Sequence, residues 1–205
     1  MPGQFFGSTS TSAMNRKKIF AIAAVLLACV PVAAFSTVKP LRILAPAFFA
    51  QLSCVDGNIC TDDPARLAEA RRLYQNSQQL VASRIGGFRH DAKALFCSSP
   101  QCAETFGLGR RAGLAFGYFG IAIAPRGWTD FYVRHELIHH RQAEELGNWA
   151  VLRKPEWLIE GMAYSLSEDP RRPLPALSEA WRADFEAWYA SMNPADLWLK
   201  AKAQP

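Results

Sequence analysis

Residues 129–167 read TDFYVRHELIHHRQAEELGNWAVLRKPEWLIEGMAYSLS, and the organisation of the chain is read outward from them. Thr129 is a capping residue in front of a segment with helical periodicity, and Gly147 is a stop signal. A helix is therefore predicted from Thr129 to about Leu146. A loop follows to Lys154. Pro155 opens a second helix, holding Trp157 to about Leu166, and Asp169-Pro170 ends it. A helix–loop–helix of this length can fold back on itself and set side chains of the two helices face to face.

Those side chains are chemically specific. His135 and His139 are four residues apart, so both imidazoles project from one helix face and two nitrogens can meet one metal ion. Glu136, beside the first histidine, is placed to reach a water at such an ion rather than the ion itself. This His-Glu-x-x-His pattern is the signature of zinc metallopeptidases, with the glutamate as general base. A catalytic zinc needs a third protein ligand and one open position. Glu160, on the second helix, is the candidate for that ligand. Tyr164, one turn further, is a candidate oxyanion donor or else a packed helix tyrosine. His140 points about a hundred degrees away from His139 and reads as a surface or outer group, not a ligand. His90 lies in a polar loop and reads as solvent-facing, with a substrate or oxyanion role as the alternative. Glu168 or Asp169 is placed to orient a ligand imidazole. Arg141-Gln142 and Glu144-Glu145 read as a solvated helix face.

The pattern resembles the gluzincin group of metallopeptidases, whose His-Glu-x-x-His is followed on the next helix by a Trp-Leu-x-Glu-Gly-x-Ala stretch. The matching positions are His135, Glu136, His139, Trp157, Leu158, Glu160, Gly161 and Ala163. The resemblance spans roughly residues 115–167. It implies a small gluzincin-like domain with zinc ligands His135, His139 and Glu160 and with Glu136 as base. It also implies a strand bordering the cleft somewhere in Ala115–Ala124. There is no separate glycine-rich exopeptidase motif, so aminopeptidase action is not implied.

Upstream, Asp63-Pro64 starts a helix with an apolar stripe from Leu67 to Val81, which Gly86-Gly87 ends. Ala94–Cys97 is a short strand candidate, and Cys102–Phe106 a helical turn. Ala115–Ala124 reads as one strand or a tight strand pair. Lys39–Phe49 reads as an extended stretch on the domain or a second membrane-proximal segment. Downstream, Ser178 starts a helix rich in aromatics, and Asn193-Pro194 begins a short terminal one. Cys54, Cys60, Cys97 and Cys102 form two close pairs, each spanning turn formers. They read as disulfides Cys54–Cys60 and Cys97–Cys102 in an oxidising compartment.

The first 35 residues read as a targeting segment. Arg16, Lys17 and Lys18 precede an apolar run from Ile19 to Phe35, the pattern of an export signal, cleaved after Ala34 or retained as a membrane anchor. A lipidation site at Cys29 is a third reading. The formal net charge of +5 is carried largely there. Without that segment 20 basic and 18 acidic side chains remain, which argues against a nucleic-acid partner. Half the residues are hydrophobic and a fifth charged, as in a packed globular domain.

The expectation is an α+β domain over residues 36–205, mostly helical with a small sheet. It is exported or membrane-tethered through its N-terminal segment and hydrolyses a peptide or protein substrate with zinc. Two rivals stand beside it: a non-catalytic metal scaffold in envelope assembly, and a zinc hydrolase of a non-peptide amide. Substrate identity and oligomeric state are open at this level.

Overall fold

The segments 93–96 and 120–123, KALF and GIAI, are apolar almost throughout, as strands covered on both faces must be. In the computed structural model, which describes residues 19–20 and 37–205, they are the central strands of a five-stranded sheet. The strands are β1 (Ser53–Val55), β2 (Ile59–Thr61), β3 (Lys93–Phe96), β4 (Gly113–Ala115) and β5 (Gly120–Ile123), in the order β1-β2-β3-β5-β4. β2, β3 and β5 run parallel, and the outer strands β1 and β4 are antiparallel to their neighbours. The Ala115–Ala124 segment thus resolves into a strand pair. Its outer strand starts two residues earlier than the sequence suggested, and a 3₁₀ turn over Gly117–Phe119 joins the two.

The helices are α1 (Leu67–Ile85), α2 (Pro100–Thr105), α3 (Asp130–Leu146), α4 (Asn148–Val151), α5 (Glu156–Leu166), α6 (Ala176–Ala190) and α7 (Leu197–Ala203). α1 is the crossover between the parallel strands β2 and β3, and Gly86 at φ 89° ends it. Val38–Pro205 forms one compact unit. One sheet face (Phe96, Ile121, Ile123) packs on Leu73, Val133, Leu137 and Leu158 of the long helices. The other face (Leu95, Ala122) packs on Ile43, Phe106 and Leu108. The fold is α+β and mainly helical.

Three expectations change. Lys39–Phe49 is not extended: it forms two 3₁₀ turns, Lys39–Leu44 and Pro46–Phe48, each with proline in its first turn, and Ile43 is buried. The loop 147–154 contains the single-turn helix α4. The aromatic helix starts at Ala176, following Pro175, rather than at Ser178. Cys54–Cys60 and Cys97–Cys102 are both bonded, the first across the β1–β2 hairpin where the two cysteines are register partners. The expectations for the targeting segment lie outside the described residues, apart from Ile19 and Phe20. No helix among the described residues is long and apolar enough to cross a membrane.

Candidate metal centre

α3 divides its residues by face. Val133, Leu137 and Ile138 enter the core, while His135 and His139 emerge on the side that meets α5. α5 is held close by Gly161: a Cβ there would lie 2.2 Å from the Trp181 carbonyl oxygen and 2.9 Å from the Phe185 Cβ of α6. With Leu158, Met162 and Ala163 buried, Glu160 and Tyr164 are left facing the histidines.

The three side chains converge. His135 Nε2 and His139 Nε2 are 3.0 Å apart. Glu160 Oε2 is 3.4 Å from the first nitrogen and Oε1 3.5 Å from the second. Two imidazole nitrogens and a carboxylate oxygen within 4.8 Å of one another can hold a metal ion. The donor set of nitrogen and oxygen suits a borderline divalent cation. Burial pushes the Glu160 carboxyl up. The hydrogen bond from His135 and the charges of His139 and His135 outweigh that and hold it at about 2. The Glu160 carboxyl is therefore an ionised donor beside the two imidazoles.

Glu136 is buried beneath the edge strand β4. Burial pushes its carboxyl up to about 7, and the Glu160 charge adds to this. His139, a backbone hydrogen bond from Ala115 and, least of the three, Arg111 act the other way. Its seat exists because residue 113 is glycine: a Cβ there would lie 2.6 Å from Glu136 Cγ and 2.7 Å from Oε1. Tyr164 lies edge-on to His135, ring centroids 4.7 Å apart. Burial raises its hydroxyl pKa against the Ser178 hydrogen bond, so the phenol stays protonated. All five residues line one cleft of about 900 Å³, with β4 along its wall.

No family model matches the chain. No curated protein and no solved structure matches it either. The chemistry of the cleft is therefore argued from its own geometry.

Other expected residues lie elsewhere. His140 is not a surface group: it is fully buried, tilted against Phe88 with its Nε2 3.6 Å from Glu144. His90 is exposed and does not line the cleft. Neither Glu168 nor Asp169 orients an imidazole. Glu168 pairs with Arg134 at 2.7 Å and Arg84 at 3.1 Å, and Asp169 with Arg171. That task falls to Gln142. Its Oε1 is 2.8 Å from His139 Nδ1, and its Nε2 donates to the Ile159 carbonyl at 2.9 Å. Gln142 thus ties a candidate ligand on α3 to the backbone beside Glu160 on α5. It is completely buried, and Arg141 and Glu144 are nearly so, which overturns the solvated-face reading of this run. Glu144 accepts the backbone N–H groups of Arg89 and His90 and a 2.9 Å bond from Arg141. The only sequence signal for Gln142 is its position, three residues after His139 on the same face.

Proposed function

We propose that the chain is a zinc-dependent hydrolase of gluzincin type that cleaves peptide bonds, with His135, His139 and Glu160 as the metal ligands. The observation that carries this reading is the convergence of those three donors beside the buried Glu136 carboxyl on the wall of an open cleft. When bound, zinc supplies Lewis acidity towards a carbonyl oxygen and a water. Glu136, with a carboxyl poised near neutrality, takes a proton from the attacking water and passes it to the leaving nitrogen. Tyr164 presents a protonated hydroxyl to the developing oxyanion. β4 is a sheet edge, so its outer backbone groups can align an extended peptide. Gln142 keeps the His139 ring turned with Nε2 towards Glu160. The two disulfides support an oxidising, exported setting.

The test is metal analysis and turnover of the purified protein. One zinc per chain is expected, lost in His139→Ala. Glu136→Gln should keep the metal and the fold while turnover of a mixed peptide library drops by about a hundredfold or more. Undiminished turnover in Glu136→Gln would falsify the assignment.

A further inference from the structure

The cleft is chemically lopsided along its length. Arg111 precedes β4 and Arg126 follows β5. The two strands are antiparallel, with Gly113 opposite Ile123 and the Ala124 N–H bonded to the Ala112 carbonyl at 2.8 Å. Both arginines therefore emerge at the same end, exposed and lining the cleft. Among the described residues neither guanidinium makes an ion pair or a hydrogen bond; Arg111 bonds only through its backbone N–H, to the Leu108 carbonyl at 2.9 Å. The other two cations on the wall are engaged: Arg171 by Asp169 and the Tyr132 hydroxyl, Lys154 by the carbonyls of Lys202 and Gln204.

The opposite end is apolar. β4 runs through Phe116 into the Gly117–Phe119 turn, and Asn148 Oδ1 accepts the Tyr118 N–H at 3.1 Å, drawing α4 alongside. Tyr118 and Phe119 stand exposed with ring centroids 4.6 Å apart. Trp149 and Leu152 are 79% and 75% exposed. Four large exposed apolar side chains thus line the same cleft, two of them in ring contact and the other two on, or capping the end of, the helix that Asn148 ties to Tyr118. Glu156 also lines the cleft, on the first turn of α5 and one turn before Glu160.

This inference rests on the reading that the cleft holds a peptide. We infer that the substrate is a carboxylate-bearing peptide, with an apolar or aromatic segment against Tyr118, Phe119, Trp149 and Leu152 and an anionic group against Arg111 and Arg126. Two guanidinium groups that make no ion pair or hydrogen bond of their own and line the same end of one cleft favour an anion there, and their planar forks match a carboxylate. The carboxylate comes from an Asp or Glu side chain or from the peptide's own C-terminus.

Binding of short fluorescein-labelled peptides to the zinc-loaded full chain carrying Glu136→Gln, read by anisotropy, tests this. Four peptides share a Phe-Leu core. One continues with two glutamates and a C-terminal amide, one with alanines and a free carboxylate, one with alanines and an amide, one with lysines and an amide. A carboxylate peptide should bind about tenfold tighter than the lysine peptide. The better of the first two identifies the source. Arg111→Gln with Arg126→Gln should erase the preference, and Arg111→Glu with Arg126→Glu should invert it. Equal binding of all four, or a preference that survives the double substitutions, overturns the inference. Library digestion by the unsubstituted chain is read separately. Carboxylate preference without Glu136-dependent cleavage would sink the hydrolase reading alone. Glu136-dependent cleavage without the preference would sink this one alone.

Discussion

Gly113 is a residue whose only task is to be small. A Cβ there would meet the Glu136 side chain on three atoms between 2.6 and 2.9 Å, and that side chain, not the backbone, is what yields. Gly113→Ala should therefore fold normally while displacing the carboxyl. A displacement of about 1 Å at a reacting group costs about a hundredfold in rate. Turnover should fall by that order with an unchanged thermal midpoint; a normal rate would mean that Glu136 need not sit under β4. Gln142 makes the complementary case. Gln142→Leu leaves the Ile159 carbonyl without its side-chain donor and frees the His139 ring, so metal affinity should fall by about 10–100-fold. A metal titration by competition with a chelator reads this directly. An unchanged affinity would show that packing alone orients the ring. The convergence of His135, His139 and Glu160 was legible because two imidazoles at i, i+4 share a helix face and a carboxylate on the next helix can fold back towards them. Gln142, Arg141 and Glu144 were not. A polar run on a helix has the same pattern whether it meets water or a neighbour, and only the fold reveals that Arg141 pairs with Glu144 and Glu145 at i+3 and i+4 while Gln142 bonds to His139 and the Ile159 carbonyl.

At the level of elements, long helices were readable and short pieces were not. α3 and α5 begin directly after Thr129 and Pro155 and end at Gly147 and Ser167, although the Thr129 side chain makes no capping bond; Asp63 caps a 3₁₀ turn over Pro64–Arg66, and α1 begins only after it, at Leu67. β1 and β2 have three residues each, too few for a period, and only the cysteines marked their hairpin. The joint between β2 and α2 rests on one side chain. Asp62 accepts the backbone N–H groups of Ser98 at 2.6 Å and Ser99 at 3.1 Å and the Ser99 hydroxyl, and Ser99 in turn caps α2. Burial raises the Asp62 carboxyl, but these hydrogen bonds win and hold it below its usual value. A carboxyl depressed on folding adds stability above its unfolded pKa of 3.8 and loses it as pH falls towards the folded value. Asp62→Asn should therefore cost about 2 kcal/mol at neutral pH. It should also flatten the fall in stability below about pH 4. Urea midpoints across pH would read both, and a parallel downward shift at every pH would show that the charge of Asp62 is not what matters.

Within Val38–Pro205 the disulfides and the candidate metal-holding residues lie on different elements. The disulfides and Asp62 gather where the β1–β2 hairpin, β3 and α2 meet. The candidate metal-holding group and the cleft belong to β4, α3 and α5, held by packing and by Gln142. Both disulfides close short loops, with sequence separations of 6 and 5. On the chain-entropy account each contributes only about 2 kcal/mol. Against a typical stability of about 5–15 kcal/mol, the reduced protein should remain folded at 25 °C. For a domain of this size, losing both should lower the melting temperature by about 10 °C. The three candidate ligands share no element with any of the four cysteines, so reduction should leave the metal stoichiometry intact at room temperature. Thermal melts with and without reductant, paired with metal analysis of each sample, check the two halves of this expectation independently. An unchanged melting temperature would mean that the bonds are not formed in the purified protein. Loss of metal on reduction at 25 °C would mean that the hairpin side and the cleft side unfold as one, and that the staples hold the site as well as the sheet.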